Sequence, residues 1–419
     1  MKHTLDYVLI LVTLWSCVLP IPPVASFMNS RIIALFLAIV FLPASIKFML
    51  SDSPVRWALL SIVAVVPFEF VRSVFFEQQT VMESIVRSVH AVGPCCALLC
   101  LVTTRRKLIF SLYSAITMET LSAAFAIAIH LVGEPFYTWR NILLSVREYE
   151  LWDLSTFQTF ASGLRGSVYL FGYDLLILIG MAIGLLIPQG HPKEKPLGEW
   201  KHRFVMLLVL VLSIGAMYLS GQRMPLVAIV VINILILIKY SITIIHLFIS
   251  VIVALVLVFI QFQGTSSPFF VRMQAAHLEA DGNLRLSLLQ EAIRSLVESP
   301  FNPSIVYDRH VPVVRGQPLP PHVHLLTLLV RFGVQFAPVI CYIVFSLYRW
   351  IVFQFRFVRF PTAWAFFFAF LGCFINGLTH NPGPWFAMPA ASVILVLWMR
   401  AVEFESHGNG KDGSGTSAI

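Results

Sequence analysis

Residues 204–239 read FVMLLVLVLSIGAMYLSGQRMPLVAIVVINILILIK. Two apolar runs, 204–221 and 224–239, flank a short turn that contains Arg223. A membrane-spanning helix needs about 20 predominantly apolar residues, with a range of about 17–25. We therefore predict that this stretch forms two transmembrane helices joined by almost no loop.

The same pattern extends over the whole chain. It has 419 residues, of which 58% are hydrophobic and 12% are charged, and its mean hydropathy is +0.83. Soluble domains are about 45–50% apolar and about 25% charged, so this composition excludes a soluble protein. We predict an all-α polytopic membrane protein with about 12 transmembrane helices. The predicted spans are 5–25, 31–50, 55–71, 81–103, 108–133, 167–188, 204–221, 224–239, 241–262, 323–348, 361–378 and 384–402.

The lysines indicate the orientation of these spans. Twelve spans place both termini on one side, and cytoplasmic loops carry an excess of Lys and Arg. Lys2, the run Arg105-Arg106-Lys107, the loop 191–203 and Lys239 all fall on this side, as do all eight lysines. We therefore predict cytoplasmic termini, and we attribute the net charge of +8 to these loops rather than to a nucleic-acid partner.

The cysteines and the N-terminus predict no secreted, disulfide-bonded domain. All six cysteines lie within apolar runs, which favours neither a disulfide framework nor a metal–thiolate site. The N-terminal run is similar to a signal peptide, but no soluble domain follows it. We therefore interpret it as a retained first span.

Two long segments face the opposite side, 134–166 and 263–322. The second is the longest polar passage, and it contains a helical segment from Asp281 to Glu298. Loops longer than about 12–15 residues are usually functional or disordered, so we expect the working part of the protein here. The predicted organisation is a transmembrane scaffold (1–203), transmembrane helices with the Arg223 turn (204–262), a periplasmic catalytic loop (263–322), C-terminal transmembrane helices (323–405) and a disordered cytoplasmic tail (406–419).

Two arginines on this side are candidates for binding an anion. Arg223 lies in a tight turn at the end of a span, where the alternative is a side chain that extends to lipid headgroups. Arg285 falls in the first turn of the predicted helix, where the helix dipole disfavours a cation, so we expect an anionic partner. The alternative for Arg285 is a salt bridge to Glu279 or Glu291. The predicted packing face of this helix consists of Leu286, Leu289, Ile293, Leu296 and Val297.

His322 and His324 precede the tenth predicted span. A histidine has a reference pKa of about 6.5 and can accept a proton at neutral pH. The alternative is a hydrogen-bonded histidine without a catalytic role. We do not predict a metal site, because no carboxylate or cysteine follows with ligand spacing.

Three elements in this order form a recognisable pattern. They are the turn Ser220–Arg223, the run from Gly282 through Arg285 to Ser299-Pro300-Phe301, and His322 with Gly333 eleven residues later. Over residues 204–350 the chain resembles the O-antigen ligase and O-antigen polymerase superfamily of bacterial inner membranes. Val323 departs from the Asn that follows the family histidine, and Arg331 replaces a frequent acidic residue. The spacing to Gly333 favours His322 as the family histidine, and His324 is the alternative.

The resemblance implies a GT-C-like glycosyltransferase without a metal, nucleotide or other cofactor. Its donor would be an undecaprenyl-pyrophosphate-linked glycan. The acceptor would be lipid A–core for a ligase, or a second lipid-linked glycan for an O-antigen or exopolysaccharide polymerase. His322 or His324 would act as the base, with Arg223 and Arg285 on the pyrophosphate, at the periplasmic face.

Ionisable residues within the predicted spans favour a different class of protein, a transporter or flippase. They are Glu69, Arg87, His90, Glu119, His130 and Asp174. Charges inside a membrane often mark a transport pathway. Alternatively, these residues are paired inside the bundle or lie near the ends of spans.

Overall fold

The computed structural model describes residues 2–18, 30–51, 53–75, 80–133, 135–136, 139, 164, 168–187, 199–220, 224–240, 275–314, 317–319, 321, 323–377 and 389–409. Its helices are α1 (Lys2–Val18), α2 (Ser30–Leu50), α3 (Pro54–Val63), α4 (Val65–Phe75), α5 (Val81–Val89), α6 (Val92–Leu101), α7 (Arg105–Val132), α8 (Val168–Leu186), α9 (Glu199–Ser220), α10 (Met224–Tyr240), α11 (Ala275–Glu298), α12 (Pro303–His310), α13 (His324–Phe332), α14 (Ala337–Phe357), α15 (Pro361–Gly377) and α16 (Pro389–Asn409). A short 3-10 helix covers Val334–Phe336, and the strands β1 (Val313–Val314) and β2 (Gln317–Pro318) form an antiparallel ribbon.

The helices confirm an all-α membrane protein. Within the described ranges, five stretches are long and apolar enough to cross a membrane: Ile32–Leu50, Pro54–Val74, Arg105–Val132, Trp200–Ser220 and Val334–Phe357. Five shorter apolar helices accompany them: Thr4–Cys17, Val92–Leu101, Phe171–Leu186, Val227–Ile236 and Pro361–Gly377. The count of twelve spans stays a prediction, and the ninth predicted span, 241–262, lies outside the described residues.

Prolines interrupt two of the predicted spans. The third is divided at Ala64 into α3 and α4, and the fourth is divided at His90 and Ala91 into α5 and α6. A proline inside a helix has no N–H to donate and clashes with the carbonyl four residues earlier. Pro67 and Pro94 lie three to four residues after these breaks, whereas α2 continues through Pro43.

The core of the bundle is centred on α8 and α15. Residues 171–187 are all buried, and so are residues 361–373 of α15. A helix that is apolar all round is expected inside a bundle, where other helices cover every face. These two helices therefore form the centre on which the peripheral helices pack.

Small residues allow α8 and α15 to approach closely. Gly180 and Gly184 are four residues apart on α8, and Ala365 and Ala369 face them from α15. A Cβ atom at Gly180 would lie 2.6 Å from Ala369 Cα, and one at Gly184 would lie 2.6 Å from the Trp364 carbonyl carbon. Small residues at four-residue spacing let the backbones of membrane helices touch. The two helices are thus held by backbone proximity that a side chain at either glycine would prevent.

One end of the bundle is tied together by charged and polar side chains around α16. Arg400 donates from Nε to the Val102 carbonyl at 3.0 Å, and its guanidinium also pairs with Glu403. The Ser53 hydroxyl donates to Glu403 Oε1 at 2.9 Å. The starts of α3 and α7 and the end of α16 therefore lie at the same end.

The same end holds the start of α1 and the start of α15. Lys107 Nζ lies 2.6 Å from Asp6 Oδ2. The Glu405 carboxylate accepts hydrogen bonds from the backbone amides of Arg359 at 2.6 Å and Phe360 at 3.0 Å. Burial raises the pKa of Glu405, although these two amides act in the opposite direction. Residues near both ends of the described chain are thus gathered at one end of the bundle.

We predict that Gly180→Ala lowers the free energy of unfolding by about 1–3 kcal/mol, because the added methyl group overlaps the α15 backbone. The melting temperature of the detergent-purified protein measures this change.

Gly215→Ala is the matched control, since a Cβ there meets only Ile127 Cδ1 at an ordinary 3.8 Å. Alanine favours a helix over glycine by about 1 kcal/mol, so this variant should melt at the same temperature or higher. Equal destabilisation by both substitutions would contradict the close approach of α8 and α15.

Candidate functional site

The long polar passage folds into a small subdomain with its own core. We call it the loop subdomain; it comprises α11, α12, the ribbon and α13. Its core consists of Leu288, Ala292, Tyr307, Val311 and Val330, separate from the main core of the bundle. The Tyr307 hydroxyl donates to the Leu319 carbonyl at 2.8 Å, and burial raises the pKa of this phenol. The helix that carries Arg285 and the helix that begins at His324 are thereby packed together.

The predicted packing face of α11 is wrong for three of its five residues, and the other two, Leu289 and Leu296, are half-buried. Leu286, Ile293 and Val297 are 53%, 52% and 78% exposed. The buried face is instead formed by Leu288, Ala292 and Ser295. A hydrophobic pattern identifies apolar stripes on a helix, but it does not identify which stripe meets the protein. The exposed stripe gives the loop subdomain an apolar outer surface.

Arg285 lies in the middle of α11. The helix begins at Ala275 rather than at Asp281, so Arg285 is in its third turn and the argument from the helix dipole does not apply. Its side chain is half-buried, one turn before the buried Leu288. Glu291, one of the predicted partners, instead lies 3.8 Å from Arg294.

The other three predicted site residues are described less fully. Arg223 and His322 lie outside the described residues, and His324 is the first residue of α13. Thr327 Oγ1 lies 2.5 Å from the Pro321 carbonyl oxygen and 2.9 Å from the Val323 carbonyl oxygen, and its single hydroxyl hydrogen is shared between these two acceptors. One hydroxyl therefore fixes the backbone on both sides of position 322, a role that the sequence analysis did not identify.

The tenth predicted span does not form a single helix over 323–348. It is divided at Gly333, where α13 ends with a φ of 77°, and the apolar span covers Val334–Phe357. This left-handed region favours glycine, and a Cβ at Gly333 would lie 2.6 Å from the Phe301 carbonyl oxygen. The Val334 amide donates to the Pro300 carbonyl at 2.8 Å. The Pro300-Phe301 turn is thus held directly against the start of the span.

An ion pair joins the loop subdomain to a membrane span. Arg331 Nη2 of α13 lies 2.5 Å from Glu69 Oε1 of α4, and the two side chains are only 21% and 14% exposed. Arg72 Nη1 donates to the Arg331 carbonyl at 3.1 Å. Glu69 was predicted as an ionisable residue within a span and Arg331 as a departure from the pattern of the resembling superfamily, and their pairing was not predicted. The only indication of this pairing in the sequence is that the two side chains carry opposite charges.

Beside this ion pair lies a cavity of about 290 Å³ between α4 and the Pro300-Phe301 turn. Its polar lining consists of Arg72, Arg331, Asn302 and Gln335. Three aromatic rings, those of Phe68, Phe301 and Phe332, form much of the remainder, and the ring centroids of Phe68 and Phe332 lie 5.7 Å apart. The site therefore combines two guanidinium groups with an apolar wall.

A second polar group lies inside the bundle. Glu119 of α7, Asp174 of α8 and Asn376 of α15 are all buried. Cys373 of α15 is buried as well. Neither carboxyl group lies near a predicted end of its helix, so these two are charges within the predicted spans.

Comparison with known proteins gives no family assignment. No protein-family model and no curated protein matches the chain. Any functional assignment therefore depends on the chemistry and positions of the residues described above.

We predict that Glu69→Gln destabilises the protein by about 1–3 kcal/mol, less than for a fully buried pair, because it leaves the partly buried Arg331 without its carboxylate. The double variant Glu69→Gln/Arg331→Gln should be less destabilised than the sum of the single variants. Melting temperatures of the four proteins give the interaction energy.

The control is Arg294→Gln, which removes an exposed ion pair whose Nε–Oε1 distance to Glu298 is 2.6 Å. Exposed pairs within a helix contribute little, so we expect no measurable change. If Glu69→Gln changes the melting temperature as little as this control does, the Glu69–Arg331 ion pair does not stabilise the protein.

Proposed function

We propose that the chain is an O-antigen ligase-like glycosyltransferase of the bacterial inner membrane. It would transfer a glycan from an undecaprenyl-pyrophosphate donor to a sugar hydroxyl of lipid A–core. The observation that supports this proposal is the packing of the Arg285 helix and the His324 helix on one core, joined by Arg331 and Glu69 to the end of a span. An O-antigen or exopolysaccharide polymerase has the same chemistry with another acceptor.

In the proposed reaction the acceptor hydroxyl attacks the anomeric carbon of the donor in a single displacement. His322, or His324 as the alternative, removes the proton from this hydroxyl. The bond between the anomeric carbon and the phosphate oxygen breaks, and the pyrophosphate leaves with the electron pair. Arg223 and Arg285 stabilise the negative charge that develops on it. The anomeric configuration is inverted.

The loop subdomain would act at the periplasmic face, with both termini in the cytoplasm. Ser53, at the start of the span Pro54–Val74, contacts Glu403 at the end of the bundle that holds Arg105 and Lys107, and Arg72 lies near the other end of this span. The positive-inside rule assigns Arg105 and Lys107 to the cytoplasm. Asp6 and Glu403 lie at the same end as Lys107 and Val102, which supports an even number of spans. A lipid-linked donor is suited to this face, since its polyprenyl chain remains in the bilayer.

A transporter or flippase for a lipid-linked glycan is the second candidate. It is favoured by the burial of Glu119 and Asp174 within the bundle. This candidate predicts that Glu119→Gln and Asp174→Asn abolish surface polysaccharide while the histidine and arginine variants retain it. The glycosyltransferase candidate predicts that variants of Arg285 and His322 lose surface polysaccharide, while Glu119→Gln and Asp174→Asn retain it.

We predict that His322→Ala lowers glycan transfer about 10²–10⁴-fold without loss of protein, the usual contribution of a general base. Transfer is measured on gels, with purified protein, a lipid-linked glycan and lipid A–core. Retained activity in His322→Ala with loss in His324→Ala would assign the base to His324. Full activity in both variants would contradict the mechanism.

We predict that Arg285→Lys sharply reduces transfer in the same assay, because lysine keeps the charge but not the bidentate fork that matches phosphate oxygens. Arg309→Lys is the matched control, since Arg309 is an exposed arginine of α12 in the same subdomain. Equal activity of the two variants would mean that Arg285 has a structural role only.

A further inference from the structure

The cavity beside the Glu69–Arg331 ion pair has the composition of a binding site for an anionic amphiphile. Of the nine described residues that line it, two are arginines, two are amides and none is acidic. A guanidinium group binds phosphate oxygens through parallel N–H donors and remains charged at any physiological pH. We propose that this cavity binds the phosphate group of a membrane lipid.

Both guanidinium groups are held in place by the fold. Glu69 accepts from Arg331 Nη2 at 2.5 Å, and the Arg331 carbonyl accepts from Arg72 Nη1 at 3.1 Å. A guanidinium carries five N–H donors on three nitrogens, so one arginine can contact a carboxylate and a phosphate together. An incoming phosphate therefore meets two cations whose positions are already fixed, so little side-chain entropy is lost on binding.

The cavity also lies at the depth where lipid phosphates are found. The span Pro54–Val74 is 21 residues long, and Ala64 between α3 and α4 keeps a helical φ of −58° and ψ of −23°. At 1.5 Å per residue this corresponds to about 31 Å, close to the hydrocarbon thickness of about 30 Å. Its first residues adjoin Ser53 at one polar end, and Arg72 marks the other. Arg72 is thereby placed at the boundary between hydrocarbon and headgroups.

The apolar wall gives a lipid chain a route out of the cavity. Phe68 and Phe332 lie on the inner side of the cavity, and Val71 and Pro67 are exposed on the outer surface of α4. A phosphate at Arg72 and Arg331 would leave its hydrocarbon chain along this exposed surface, which faces the bilayer. Free inorganic phosphate shares the anionic chemistry but gains nothing from the apolar wall.

This inference goes beyond the proposed glycosyltransferase, because it concerns residues other than Arg223, Arg285 and the two histidines. The test measures lipid binding, so its outcome does not depend on whether the protein transfers a glycan. The site would hold a lipid against the loop subdomain whether or not that lipid is a substrate.

The test is a thermal-stability titration of the full chain in phosphatidylcholine nanodiscs, with phosphatidic acid as the added lipid and inorganic phosphate as the soluble anion. We expect phosphatidic acid to raise the melting temperature saturably. Arg72→Gln and Arg331→Lys should weaken the apparent affinity about tenfold or more, since each loses a hydrogen bond to a charged group. Arg331→Lys keeps a positive charge that can pair with Glu69. A loss of lipid binding in this variant is therefore not explained by unfolding.

Two further variants make the outcome decisive. Val71→Trp retains every charge but fills the cavity from an exposed position, so it should abolish the stabilisation by phosphatidic acid. Arg309→Gln removes an exposed arginine of the loop subdomain and should leave the titration unchanged. The proposal is overturned if phosphatidic acid stabilises the wild type and all variants equally. It is also overturned if phosphatidic acid stabilises none of these proteins. Equal stabilisation by inorganic phosphate at the same concentration would refute the lipid as the source of the phosphate.

Discussion

The ion pair between Glu69 and Arg331 is the contact that locates the loop subdomain on the membrane bundle. Glu69 comes from the end of a span and Arg331 from the last turn of α13, and their side-chain atoms lie 2.5 Å apart in a mostly buried setting. Gly333 then ends α13, so that Val334 can donate to the Pro300 carbonyl and the chain can enter the next span. The loop subdomain is therefore fixed at one end of the bundle. The proposed transferase requires this arrangement, because its donor lipid arrives within the bilayer.

The sequence predicted those features that depend on local pattern. Apolar runs decided the fold class, because backbone groups in a bilayer must be satisfied within helices. The existence of a helix through Arg285 was predicted for the same kind of reason. Its side-chain periodicity is visible in the sequence without knowledge of its neighbours.

The features that were not predicted depend on tertiary contacts. Arg331 and Glu69 are 262 residues apart in sequence, and nothing local indicates their pairing. The packing face of α11 was assigned from the helical spacing of its apolar residues, but Leu288 and Ala292 are the residues that pack with Tyr307 of α12 and Val330 of α13. The end of α13 at Gly333 was also missed. An apolar run continues on both sides of that glycine, and only the turn against Phe301 separates the two helices.

The most direct test of the proposed transferase is the surface lipopolysaccharide of a strain that lacks this gene, together with its pool of lipid-linked glycan. The account predicts bare lipid A–core, with long polymer retained on the polyprenyl carrier. Core that carries a single repeat unit would indicate the polymerase instead. Normal lipopolysaccharide with an unchanged lipid-linked pool would contradict an O-antigen role for this protein.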